Sequence, residues 1–112
     1  MLIASRMLKL RKGRDEVPIE IRIFAPQKDN GSGSWFCRYE IDWPGENNRM
    51  DIWGAESMQA LVFALQTIGA EIYTSNYHKA GALFVEHDRK GYGFPVMSNL
   101  RDLLVGDDAK YL

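Results

Sequence analysis

Two histidines, one cysteine and a set of tyrosines are the side chains in this sequence best suited to chemistry. His78 and His87 stand near Glu86 and Asp88, and an imidazole beside a carboxylate can move a proton or hold a metal. The pair lacks the i, i+4 helical spacing and the cysteine partners of a metal site, so it reads as two loop histidines. Together with Tyr77 and Tyr92 they mark the 76–95 stretch as the candidate ligand region, provided its loops converge on a cleft. Cys37 alternates in phase with Trp35 and Tyr39, which predicts a buried thiol behaving as a small hydrophobe, not a nucleophile. Being the only cysteine, it allows no intrachain disulfide, and a cytoplasmic setting is expected. No residue pattern identifies a catalytic residue, a metal site or a cofactor.

Two other clusters resemble phosphate sites and fail on spacing. Lys9, Arg11, Lys12 and Arg14 are followed at once by Asp15 and Glu16, the pattern of a solvated hairpin tip. The glycines of Asn30-Gly31-Ser32-Gly33-Ser34 and of Gly91-Tyr92-Gly93 match neither a phosphate loop nor a dinucleotide fingerprint and read as turns. Over the 112 residues, 14 Lys and Arg stand against 15 Asp and Glu, a formal net charge of −1. That balance argues against a nucleic-acid binder working through bulk charge, and 46% hydrophobic content argues against disorder. In MLIASRMLKLRKGR the basic residues follow the apolar ones, the wrong order for a secretory signal, and no apolar run is long enough to span a membrane.

The elements that must position these groups follow from periodicity. Residues 2–10 read as a strand, and RKGRDE as the turn after it. In VPIEIRIF, Val17, Ile19, Ile21 and Ile23 share one face, a strand pattern, with Pro18 confined to an edge or a strand start. Residues 25–34 form a loop, and WFCRYEIDW and NRMDIW flank a hairpin loop at 44–48. Trp35, Tyr39 and Trp43 lie on one side of their strand, either in the core with Ile41 or on the opposite sheet face. A helix over 56–73 places Met58, Leu61, Val62, Leu65, Ile68, Ile72 and Tyr73 in one arc, the expected core face, with Glu56 and Ser57 at its start. A short strand at 81–86 and a short helix at 98–105 follow, and residues 104–112 are expected to fray. The expected fold is a single α+β domain over 1–112. It has an antiparallel sheet of about four to five strands, one long helix packed on one face and a short C-terminal helix.

The run Gly54-Ala55-Glu56-Ser57-Met58-Gln59-Ala60-Leu61, continued by Ala64-Leu65 and Ile68-Gly69, resembles the helix signature of a family of small bacterial domains of unknown function. The strand Trp35–Ile41 and Gly93-Phe94-Pro95 are similar to that family as well, so the resemblance covers roughly residues 1–96. Glu56 takes the position where the pattern carries Asp. The resemblance implies a compact bacterial α+β domain and brings no activity with it.

Opposite the expected core arc, the helix shows Ala60, Phe63, Ala64 and Thr67, and Glu71 is the only charge between Ser57 and Tyr73. An apolar, small-residue stripe on an expected outer face points to an interface, covered either by the C-terminal segment or by a second copy across a two-fold axis. Two functional expectations follow. The first is a non-catalytic domain acting through contact with a protein partner or with itself as a homodimer, an immunity-like or antitoxin-like role being one form of it. The second is a small enzyme or ligand-binding domain using the 76–95 region.

Overall fold

The computed structural model describes residues 1–86 and 89–112. The fold is α+β, as the periodicity predicts. Its strands are β1 (Leu2–Lys12), β2 (Asp15–Phe24), β3 (Gln27–Lys28), β4 (Trp35–Trp43), β5 (Glu46–Gly54) and β6 (Leu83–Phe84). They form one sheet in the order β3-β4-β2-β1-β6, with β5 also paired to β4. The helices are α1 (Ser57–Tyr73), α2 (Asn76–Lys79), a 3-10 turn (Ser98–Leu103) and α3 (Gly106–Tyr111). By their contacts the residues form two units, Met1–Arg6 with Glu20–Ala64, and Met7–Ile19 with Leu65–Leu112.

The first unit is built on β4. Its register with β5 runs from Trp35↔Gly54 to Trp43↔Glu46, so Pro44-Gly45 is a two-residue turn, tighter than the 44–48 loop expected. Against β2, Ile21 faces Ile41 and Ile23 faces Tyr39, and these four are buried with Cys37. Tyr39 is therefore a core residue, while Trp35 and Trp43 at the strand ends are half-buried. The other face is a ladder of cross-strand pairs, Phe36 tilted on Trp53 at 5.1 Å and Arg38 bonded to Asp51 at 2.7 Å. Arg22 holds Asp42 through two bonds of 2.8 and 2.6 Å, Glu20 at 2.8 Å and Glu40 at 2.9 Å. The bonds from Arg22 hold the Asp42 carboxyl below the usual carboxylate range.

Helix α1 begins where the sequence places it. The Glu56 carboxylate accepts from the Gln59 amide at 2.7 Å and the Met58 amide at 3.2 Å, and Gln59 Oε1 accepts from the Ala55 amide at 2.6 Å. Its buried stripe, however, is Ala60, Ala64, Ile68 and Ile72. Met58 (66% exposed) and Val62 (45%) face outward, against expectation, and Leu61 and Leu65 are only half-buried. The interface expected at Ala60, Phe63, Ala64 and Thr67 is corrected accordingly. Ala60 and Ala64 are fully buried by their own chain, Thr67 is half-buried and Phe63 is 41% exposed. The cause is close approach. A side chain at Gly54 would come within 2.6 Å of the Ala60 backbone nitrogen, so the end of β5 lies directly against the first turn of α1. Only the small-residue side of the helix permits that, whereas an arc chosen for summed hydrophobicity favours the bulky side.

In the second unit, Leu8, Leu10, Ile19, Ile68 and Ile72 make the core, and β6 is held to β1 at Lys9↔Phe84 and Leu10↔Leu83. The expected strand at 81–86 shrinks to these two residues. A side chain at Gly69 would lie 1.9 Å from the Pro95 carbonyl oxygen, so the 95–96 stretch runs across α1 there. The short helix expected at 98–105 is the 3-10 turn, and the segment 104–112 holds α3, with Leu104 and Asp108 buried.

Candidate functional site

The second unit brings a histidine, two tyrosines and a carboxylate together. Tyr73 is the last residue of α1, and the Ser75 hydroxyl then caps α2 by accepting from the His78 amide at 3.2 Å. This cap turns the chain so that the His78 ring lies edge-on to Tyr73, with centroids 4.9 Å apart. Tyr92 completes the set, 5.2 Å from the Tyr73 ring and 5.4 Å from that of His78. Behind the rings, the Asp108 carboxylate accepts from the Tyr73 hydroxyl at 2.5 Å and from the Tyr92 and Gly93 amides at 2.8 Å each. Asp108 is 2% exposed, and three donors compensate its burial. Gly106 sits at φ +59, and a side chain there would meet the Lys90 carbonyl at 2.1 Å, so glycine lets the start of α3 close on the 89–93 loop.

His78 Nδ1 and the Tyr92 hydroxyl oxygen are 2.5 Å apart, and the same oxygen lies 3.3 Å from the Leu83 carbonyl. Burial lowers the pKa of His78 below its ordinary value. Burial, and then the nearby Asp108 charge, push the Tyr92 phenol up to about 12. Near neutral pH the pair is a neutral imidazole bonded to a neutral phenol, able to donate or accept hydrogen bonds.

These two side chains form part of a cleft of about 300 Å³, lined also by Arg11, Leu83, Phe84, Arg89, Lys90 and Val105. Arg11 is brought there by its backbone, whose amide donates to the Ala82 carbonyl at 2.8 Å and extends the β1–β6 pairing. Of the four residues in the expected ligand region, His78 and Tyr92 meet. Tyr77 is half-buried and is not among the lining residues, and His87 lies outside the described residues. Sequence reasoning missed Asp108, the role of Tyr73, and the convergence of Arg11 with Arg89 and Lys90. The sequence carried one signal for Asp108, a Gly106-Asp107-Asp108 run in which a glycine precedes two helix-starting acids. Cys37, in the first unit, is fully buried and donates to the Phe24 carbonyl at 3.2 Å; burial pushes its thiol up to about 11. Among the described residues no three His, Cys, Asp or Glu side chains gather as a metal site.

The family described as Domain of unknown function (DUF6968) matches residues 4–96. The chain belongs to this family. The DUF6968 match takes in Arg11, His78, Arg89, Lys90 and Tyr92 of the cleft and ends before Val105 and Asp108. The expectation of an uncharacterised-domain family from the 54–69 signature agrees with it. No curated protein and no solved structure significantly matches this DUF6968 chain. No helix of the DUF6968 domain is long and apolar enough to cross a membrane among the described residues.

Proposed function

We propose that this domain is a ligand-binding module whose site is the cleft beside His78 and Tyr92. The observation that carries the reading is that cleft itself, a concavity with an apolar wall and a few convergent polar groups. His78 and Tyr92, bonded to each other, give a ligand a fixed polar edge. The buried thiol of Cys37, protonated near neutral pH, suits a reducing, cytoplasmic setting. The test is a small-molecule screen followed by amide chemical shifts. Hits should move Tyr92, Leu83 and Val105 and lose affinity in Tyr92→Phe and His78→Ala. Hits that all map to the first unit would reject the cleft.

A second reading rests on α1. Met58 and Val62, one turn apart, and Phe63 are exposed apolar side chains on its first half, the composition of a protein-contact surface. On this reading the domain, bacterial by its resemblance, meets a protein partner or a second copy there. Phe63→Lys should then weaken association, seen by light scattering at tens of micromolar, without lowering the unfolding midpoint. A wild-type particle of 12.8 kDa would exclude the homodimer.

A further inference from the structure

We infer that the ligand of this cleft is a small phosphorylated compound, its phosphate seated among Arg11, Arg89 and Lys90. The inference rests on the ligand-binding reading above and adds the chemical class. Among the described residues, three cationic side chains and no carboxylate line the cleft, in a chain whose net charge is −1. They come from separate parts of the sequence, Arg11 from the end of β1 and Arg89 with Lys90 from the loop after β6, and the fold gathers them at one opening.

Among the described residues, the neighbours of these cations hold them loosely. The Arg11 guanidinium stacks over the Phe84 ring at 4.8 Å and reaches the Gly81 carbonyl at 3.5 Å, contacts that orient it and leave its charge in place. Arg89 stands 3.6 Å from Glu86 and 4.0 Å from Asp107, loose pairs between side chains that are all at least 63% exposed. Exposed pairs of this kind are weak, so a phosphate able to bridge two guanidinium groups displaces them. Lys90 is fixed through its backbone, whose carbonyl accepts from the Asp107 amide at 3.4 Å. A phosphate dianion meets such a cluster better than a single carboxylate does, because it offers more acceptor oxygens and a second charge.

The rest of the cleft sets the size and character of the remainder. About 300 Å³ takes a metabolite-sized molecule. Leu83, Phe84 and Val105 give that molecule an apolar wall, and the His78–Tyr92 pair gives it a neutral hydrogen-bonding edge.

Phenyl phosphate is the probe, with benzoate and benzyl alcohol as its monoanionic and neutral counterparts, followed by amide shifts and calorimetry on the full chain. Phenyl phosphate should shift Arg11, Lys90, Tyr92 and Val105 saturably and bind more tightly than either counterpart. Arg11→Gln and Lys90→Gln should each weaken it about tenfold, the value of one lost charge-assisted hydrogen bond, with the melting curve unchanged. Arg89→Gln, at a side chain 68% exposed, repeats the test if either variant melts early. Benzyl alcohol binding in the cleft as tightly as phenyl phosphate would overturn the phosphate assignment and leave the ligand-binding reading standing. No shift in the cleft from any of the three would overturn both. A short oligonucleotide that displaces phenyl phosphate and also shifts the Lys12–Arg14 tip would reassign the cleft to nucleic acid.

Discussion

The Tyr92 phenol donates to the Leu83 carbonyl at 3.3 Å, and its oxygen lies 2.5 Å from His78 Nδ1. A neutral His78 with its hydrogen on Nδ1 donates to that oxygen, so one chain of hydrogen bonds satisfies both contacts. A second proton on the ring would create a charge that burial disfavours. His78 should therefore titrate below its ordinary 6.5, read from imidazole proton shifts assigned with His78→Gln. The linkage has a definite sign. Below about pH 6.5 the unfolded chain binds this proton first, so the share of stability from His78 is complete above that pH. That share is lost as pH falls through the lowered folded value. Urea midpoints should drop from neutral to mildly acidic pH by more in the wild type than in His78→Gln. A His78 midpoint above 6.5 would contradict the burial that frames the site. Cys37 offers a simpler check. Its phase with Trp35 and Tyr39 was enough to predict burial, and a thiol raised to about 11 should react with alkylating reagents only on unfolding.

Among the elements, strands were the most legible because period two leaves little choice. Ile19, Ile21, Ile23, Cys37, Tyr39 and Ile41 are buried as their alternation requires. The start of α1 was legible too, since Glu56 and Gln59 satisfy orphan amides through local bonds. Its buried face was not, because that face depends on how near another backbone comes, and Gly54 and Ala60 allow an approach that bulky residues forbid. This reorders the expected mutational costs. Ile68→Ala, at a fully buried site, should destabilise by about 2–5 kcal/mol, and Leu65→Ala, at a half-buried one, by clearly less. Gly69→Ala should be as damaging as a core truncation even though it improves helix propensity, since its methyl would lie 1.9 Å from the Pro95 oxygen. Chemical denaturation of the three variants decides the matter. A Gly69→Ala protein as stable as wild type would mean that the 95–96 stretch does not cross α1.

Across the whole molecule, the candidate site depends on contacts that no local pattern encodes. Tyr73 and Tyr92 both bond to the carboxylate of Asp108, far from either in sequence, so neither composition nor periodicity could join them. The sequence grouped His78 with Tyr92 only because both fall in one glycine-punctuated stretch, and it placed Arg11 on an unrelated hairpin tip. DDAKYL reads as a chain end in the sequence, yet its buried Asp108 meets three donors. Asp108→Ala leaves the Tyr73 hydroxyl and the Tyr92 and Gly93 amides without their acceptor, which should cost about 3 kcal/mol or more in urea unfolding. Asp108→Asn, retaining one carbonyl oxygen but presenting an amide to at least one donor, should fall between the two. Hydrogen exchange shows where the loss lands. In Asp108→Ala, amides at 91–93 and 105–112 should lose protection while those of the β4–β5 ladder keep theirs, because the severed bonds all lie in the second unit. A uniform loss along the chain would mean that the two units unfold as one cooperative body. A loss below about 0.5 kcal/mol, within the range of ordinary surface substitutions, would show that the α3 turn is not held by this carboxylate.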